Sequence, residues 1–214
     1  LTDKVLEDIK RKNLHTNKIK EVYEIAKANE FNVLVEIILG LPSETLESFK
    51  QTYYDLFDIS PAIAIAQHTL AGLNNAEVTL NSQGGVKWSE QDYTMNESYE
   101  GIQEKIKIVY STDTMTNDDI IEANIFSNMM IAFHFGGISN IASIYANKQG
   151  VSYKEFYEGF YNFLKTDEYI SKYNKKVKSW YKLWYKNGRC HHEPVQEVEF
   201  GSNNDKSIFC STPS

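Results

Sequence analysis

A chain of 214 residues with 42% hydrophobic content, 24% charged residues and a mean hydropathy of -0.45 can bury a substantial core as one or two domains. A net charge of -7 argues against a surface built for nucleic acid, no apolar run approaches a membrane span, and no basic leader with an apolar stretch points to secretion. Two cysteines, Cys190 and Cys210, are too few for a disulfide scaffold and are what a cytoplasmic protein is expected to carry.

Residues 3 to 29 place Val5, Leu6 and Ile9, then Ile19, Val22, Tyr23, Ile25 and Ala26, at helical spacing broken near Leu14-His15-Thr16-Asn17. That pattern predicts two helices or one bent helix. Residues 33–39 read as a strand, with branched apolar residues on both sides of Glu36, the composition of a parallel strand covered on both faces. An ionised Glu buried alone is very costly, so Glu36 is expected to leave the apolar layer toward a ligand, a cation or a hydrogen-bond donor. Gly40 permits a tight turn, Pro42 fixes φ, and Ser43 or Thr45 caps a helix running to about Phe57, with Phe49, Tyr53, Leu56 and Phe57 on one face. A second strand over 62–67 completes a β-loop-α-β order that predicts neighbouring parallel strands. Residues 71–98 are rich in Gly and Asn without sustained periodicity and are expected as a long loop pinned by Trp88 and Tyr93. Lys105 to Tyr110 alternates as a strand. Helices are expected over about 117–134, 138–148, 152–165 and 168–186, the first capped by Thr116 or Asn117. A composition shift near residue 113 marks the expected division into an α/β part (1–112), a helical domain (113–187) and a polar tail (188–214).

The string E-I-I-L-G-L-P-S-E-T-L-E-S-F from Glu36 to Phe49 resembles the D/E-x-I-x-G-L-P-x-E-T-x-E-S-F segment of radical SAM enzymes. It is most similar to those related to oxygen-independent coproporphyrinogen oxidase and to cobalamin-binding radical SAM proteins. Leu1 to Asn13 looks like the family's preceding helix. Ser60 to Leu70 is similar to its next strand, whose end lies beside the adenine, and Leu73-Asn74-Asn75-Ala76 is similar to the turn that follows. The likeness covers about residues 1 to 80. It implies an α/β fold, the C-terminal portion of a partial (β/α) barrel, followed by an all-helical domain. It also implies reductive cleavage of S-adenosylmethionine at a [4Fe-4S] cluster, with radical chemistry on an unknown substrate. No C-x-x-x-C-x-x-C run is present, so the cluster ligands are expected outside this chain, which would be inactive alone; a cobalamin, if used, would belong to the missing portion. The absence of an initial Met fits a piece of a longer product.

By the same resemblance, Arg11 would hold the methionine carboxylate of S-adenosylmethionine, as a guanidinium with paired donors can. Glu36 would accept hydrogen bonds from the ribose hydroxyls. The plain alternatives are a helix-surface Arg11 and an ion pair of Glu36 inside the barrel. Gln67 and His68 sit where the following strand should reach the ligand, although alternation turns one of the two inward. Asn74, Asn75 and Glu77 are candidates for the pocket rim, and Gly40, Leu41 and Pro42 for scaffold.

Cys190-His191-His192 with Cys210 carries metal-capable side chains, but the spacing matches no zinc pattern and no metal is expected there. The stretch Lys172 to Arg189 has seven basic residues and no acids. Val177, Trp180, Tyr181 and Trp184 share one helical face, which predicts an amphipathic helix docking on the domain; binding to nucleic acid or an acidic partner is the alternative. His134-Phe135-Gly136-Gly137 reads as a helix end, since no Lys-Ser/Thr follows to make a phosphate loop. The other functional class open to this chain is a non-catalytic helical interaction module on an α/β remnant. A parallel strand lacking its upstream neighbour leaves an apolar edge, so self-association is expected; the remaining partners are a small-molecule cofactor and an unknown substrate, with no membrane.

Overall fold

In a computed structural model that describes residues 2–10, 16–81, 83–93 and 104–187, the chain opens with α1 (Asp3–Asp8) and α2 (Thr16–Ala28). A β-loop-α-β unit follows: β1 (Leu34–Leu39), α3 (Leu46–Ile59) and β2 (Ala64–Thr69). β1 and β2 pair in parallel from Leu34 opposite Ala64 to Leu39 opposite Thr69, as the β-loop-α-β order requires. Thr45 rather than Ser43 caps α3, in a reciprocal box with Ser48. Ser43 instead takes a left-handed conformation (φ 61°) and its hydroxyl donates to Asp8. β2 starts two residues later than expected because Ser60 closes a turn first, accepting from Ala62 N–H through its hydroxyl at 3.2 Å and from Ile63 N–H through its carbonyl at 3.2 Å.

The next elements are β3 (Ala71–Gly72), the short α4 (Glu77–Leu80), a 3-10 turn over Gln83–Gly85, β4 (Lys87–Tyr93) and β5 (Glu104–Ser111). The three strands form an antiparallel sheet in the order β3-β5-β4. The helical half comprises α5 (Asn117–Met129), a π-helical segment (Met130–Phe135), α6 (Asn140–Lys148), α7 (Tyr153–Thr166) and α8 (Glu168–Asn187).

Two expectations are corrected here. Among the described residues of the stretch 71–98, expected as one long loop, Ala71–Gly72 and Lys87–Tyr93 are built into the antiparallel sheet. The β4 side chains that meet α8 are polar, Ser89 donating to the Tyr185 carbonyl at 2.8 Å and Gln91 to the Trp184 carbonyl at 3.3 Å, so no apolar alternation announces a strand. Nor is β1 covered on both faces. Ile37 and Leu39 are buried beside Ile65, whereas Leu34, Glu36 and Ala64 are exposed on the other side. Among the described residues the parallel sheet has two strands, and no closed barrel is present.

The core is aromatic and runs through both halves. Tyr53 on α3 meets the Phe126 ring on α5 edge-on at 5.5 Å, and Phe126 meets Tyr161 on α7 at 5.6 Å. Each such ring contributes roughly 1.5–3 kcal/mol on burial. Lys50 is buried among them, over the Phe126 and Tyr161 rings at 5.3 and 5.0 Å and 3.4 Å from Glu158. The expected boundary near residue 113 falls between β5 and α5, whose side chains enter the same buried cluster as those of β1 and α3. Gly136 N–H bonds the Ile131 carbonyl five residues back, and Gly137 (φ 84°) ends the helix where its glycines predicted. Among the described residues no single helix is long and apolar enough to cross a membrane. The tail from 188, with Cys190, His191, His192 and Cys210, lies outside the described residues.

Candidate functional site

Alternation along β1 turns Leu34, Glu36 and Ile38 to the open face of the parallel sheet, and the register sets Ala64, Ala66 and His68 of β2 beside them. The small Ala side chains leave the Glu36 carboxylate uncrowded. The His68 Nε2 lies 3.7 Å from the Glu36 Oε1, with side-chain exposures of 49% and 68%. That separation is beyond a hydrogen bond, and so exposed a pair adds little to stability. The position of Glu36 also removes the expected cost of an acid in an apolar strand, because the carboxylate stands in water.

Gln67 is on the opposite, covered side, where its amide donates to Thr69 Oγ1 at 3.3 Å. The structure thus brings Glu36 and His68 together and turns Gln67 away from them. Arg11 lies outside the described residues. The residue before it, Lys10, lies in the turn after α1 and pairs with Glu77 at 2.6 Å. Asn74 lines a groove of about 420 Å³ with Gly72, Leu73, Glu90 and Lys105 among others, on the antiparallel sheet; Glu36 and His68 do not line it. Asn75 is exposed.

The loop from Gly40 to Glu44 is the scaffold of this corner. Gly40 has φ 88°, and a Cβ there would stand 2.6 Å from Val109 Cγ1, so backbone conformation and packing both require glycine. Glu44, which the resembling string matches but to which the sequence reading gave no role, is only 2% exposed. Its carboxylate accepts from Gly40 N–H at 3.1 Å, and its carbonyl accepts from the Thr114 hydroxyl at 2.5 Å. Burial pushes its carboxyl up to about 7, against the opposing pull of the Gly40 and Leu41 backbone N–H groups. An acid four residues after a left-handed glycine is the signal that could have found it: the loop folds the side chain back over its own backbone.

An accessible carboxylate flanked by alanines fits a ribose diol, which needs an acceptor on an uncrowded face. An iron-sulfur cluster needs thiolates, and the described residues contain no Cys and no group of three His, Cys, Asp or Glu able to hold a metal. The chain is similar to the cobalamin-dependent radical SAM methyltransferase TokK of Streptomyces tokunonensis, 26% identical over 169 residues that take in 74% of this chain and 24% of that protein. This weak likeness points to the radical SAM superfamily, and the chain spans about a quarter of the relative's length. No family model matches the chain.

Proposed function

We propose that this chain is a C-terminal part of a radical SAM enzyme whose cluster-binding half lies upstream of Leu1. The observation that carries the reading is the Glu36 carboxylate, held on the open face of a parallel β-loop-α-β unit by the very segment that resembles the family's. The likeness to TokK supports it independently of that geometry. When bound, S-adenosylmethionine and its reduced [4Fe-4S] cluster supply reductive cleavage of the cofactor and radical chemistry on a substrate. The residues of this chain bind and orient. Glu36 accepts hydrogen bonds from the ribose hydroxyls, His68 flanks that carboxylate, and Arg11 pairs with the methionine carboxylate. Gln67, turned to the covered side, shapes β2. The cluster ligands, and any cobalamin site of the kind TokK's name implies for TokK, belong to the rest of the protein, so this chain alone is inactive.

Two measurements test this. The reading frame upstream of Leu1 should encode C-x-x-x-C-x-x-C; an in-frame stop there removes the enzyme. Calorimetric titration of the full-length protein with S-adenosylmethionine should show affinity falling about tenfold or more in Glu36→Ala and Arg11→Ala, as expected for losing a hydrogen bond to a charged group. Unchanged affinity in both variants defeats the assigned roles.

A further inference from the structure

Away from that site, a fully buried imidazole joins three elements. His134, in the π-helical segment, is 0% exposed. Its Nε2 lies 2.9 Å from the carbonyl oxygen of Pro61, in the turn that leads into β2. A carbonyl only accepts, so Nε2 carries the ring proton. Nδ1 is left to accept, and the Tyr157 hydroxyl on α7 donates to it. The ring stacks on Phe57 of α3 at 4.2 Å and meets Phe135 edge-on at 5.0 Å. Asn140 of α6 places its side-chain amide 3.4 Å from Nε2, and Ser139 Oγ is 3.4 Å from Tyr157 Oη. Each of these contacts is to an uncharged group.

We propose that His134 and Tyr157 form an acid-released latch fastening the helical layer to the turn at 60–63. A second proton on the ring would turn Nδ1 from acceptor to donor. Tyr157 must then withdraw its hydrogen and redirect it to Ser139. The new positive charge would sit among aromatic rings with no carboxylate of the described residues touching it, and stacking on Phe57 returns only a fraction of that desolvation cost. On the elements packed around the ring, α3 carries Glu47, Lys50, Tyr53, Tyr54, Asp55 and Asp58, α6 carries Tyr145 and Lys148, and α7 carries Tyr153, Lys154, Glu155, Tyr157, Glu158, Tyr161 and Lys165. Of these, Tyr157 meets the imidazole, Asp58 acts on Tyr153, and Lys50 and Tyr54 pair with Glu158. Burial accordingly holds the imidazole below its ordinary proton affinity, with the Pro61 carbonyl opposing in part. For a group shifted in this direction, the stability it contributes is present above the ordinary value, about 6.5, and is lost as pH falls through the folded value. The latch needs no cofactor and is independent of the proposed reaction.

The test is hydrogen exchange followed by NMR on this chain and on His134→Gln, from pH 8 to pH 5, with the imidazole nitrogens of the unaltered protein observed in parallel. At neutral pH the ring should be the Nε2–H tautomer. The amides of Ala64, bonded to Val33, and Ser139, bonded to Phe133, should lose protection as pH falls, by up to about tenfold per pH unit between the ordinary value and the lower folded one, levelling off below it. Glutamine can donate to Pro61 without titrating, so His134→Gln should keep its protection over the same range. The latch is overturned by an Nδ1–H tautomer at neutral pH, by the ring taking up its proton with protection unchanged, or by the variant losing protection at the same pH as the parent. Should His134→Gln fail to fold, the tautomer and the ring titration of the parent decide the matter by themselves.

Discussion

Two acids eight residues apart show how far single residues could be read. Glu36 stands out in the sequence because its neighbours are apolar, yet its carboxylate is 68% exposed on an open face. The buried acid is Glu44, in a loop where no periodicity betrays burial. Its carboxyl is raised from 4.5 to about 7, so the stability tied to it is fully present below 4.5 and lost as pH rises through 7. Two and a half pH units correspond to roughly 3 kcal/mol at most. Glu44→Gln keeps an amide oxygen to accept from Gly40 N–H and cannot ionise. Denaturant unfolding at pH 4.5, 6 and 7.5 should show the parent losing up to that amount relative to the variant, all of it between the first and last points. A constant difference across the three would mean that Glu44 is ionised in the folded chain as readily as in the unfolded one. The same measurement leaves His134 out, because its contribution is common to both proteins.

At the scale of elements, legibility followed local chemistry. Reciprocal caps at Thr45 with Ser48, Thr116 with Asp119, and Ser152 with Glu155 open α3, α5 and α7, and each lies within a residue or two of its expected start. β4 was hidden for the opposite reason. Its residues Ser89 and Gln91 satisfy the last carbonyls of α8, a tertiary arrangement with no trace in the pattern of one segment. The docking face of α8 was legible, with Val177, Tyr181 and Trp184 packed on the core, while Lys178 and Lys182 answer Glu122 and Asp118 of α5 at 3.8 and 2.9 Å. Those pairings leave the basic side partly neutralised, in keeping with a docked helix. The α5 cap offers the cleanest measurement, since Thr116 is exposed and its hydroxyl accepts from Asp119 N–H at 3.2 Å. Thr116→Ala should cost about 1 kcal/mol in chemical denaturation, with an unchanged dependence on denaturant. A loss under a few tenths would show that Asp119, bonding Thr116 N–H at 2.9 Å, holds the turn without it.

The whole molecule is asymmetric in how it treats its two sheets. The antiparallel sheet is backed by α8, and the helices wrap α5 so fully that Asn124 and Ser127 are buried along with its apolar residues. The two-stranded parallel sheet is covered on one side only. A parallel pair that small does not normally stand alone with a face in water, because parallel strands are stabilised by burial on both sides. Leu34 at 60% exposure adds an apolar side chain to that uncovered face, and Phe31 at 72% with Val22 and Ile25 of α2 are exposed as well. Among the described residues, β1 has β2 on one edge only, so its other N–H and C=O groups form a row to which a further strand can bond. Two copies pairing antiparallel about Ile37 would set Glu36 opposite Ile38 of the second copy and avoid facing like charges across the new edge. This chain by itself is therefore expected to self-associate. Light scattering should give a mass that rises with concentration, and Leu34→Lys with Phe31→Lys should return it to that of one chain without lowering the unfolding temperature, because both side chains are already in solvent. A parent that stays monomeric at high concentration would mean that the open face is tolerated in water, and the picture of a sheet completed by the rest of a longer protein would lose its physical motive.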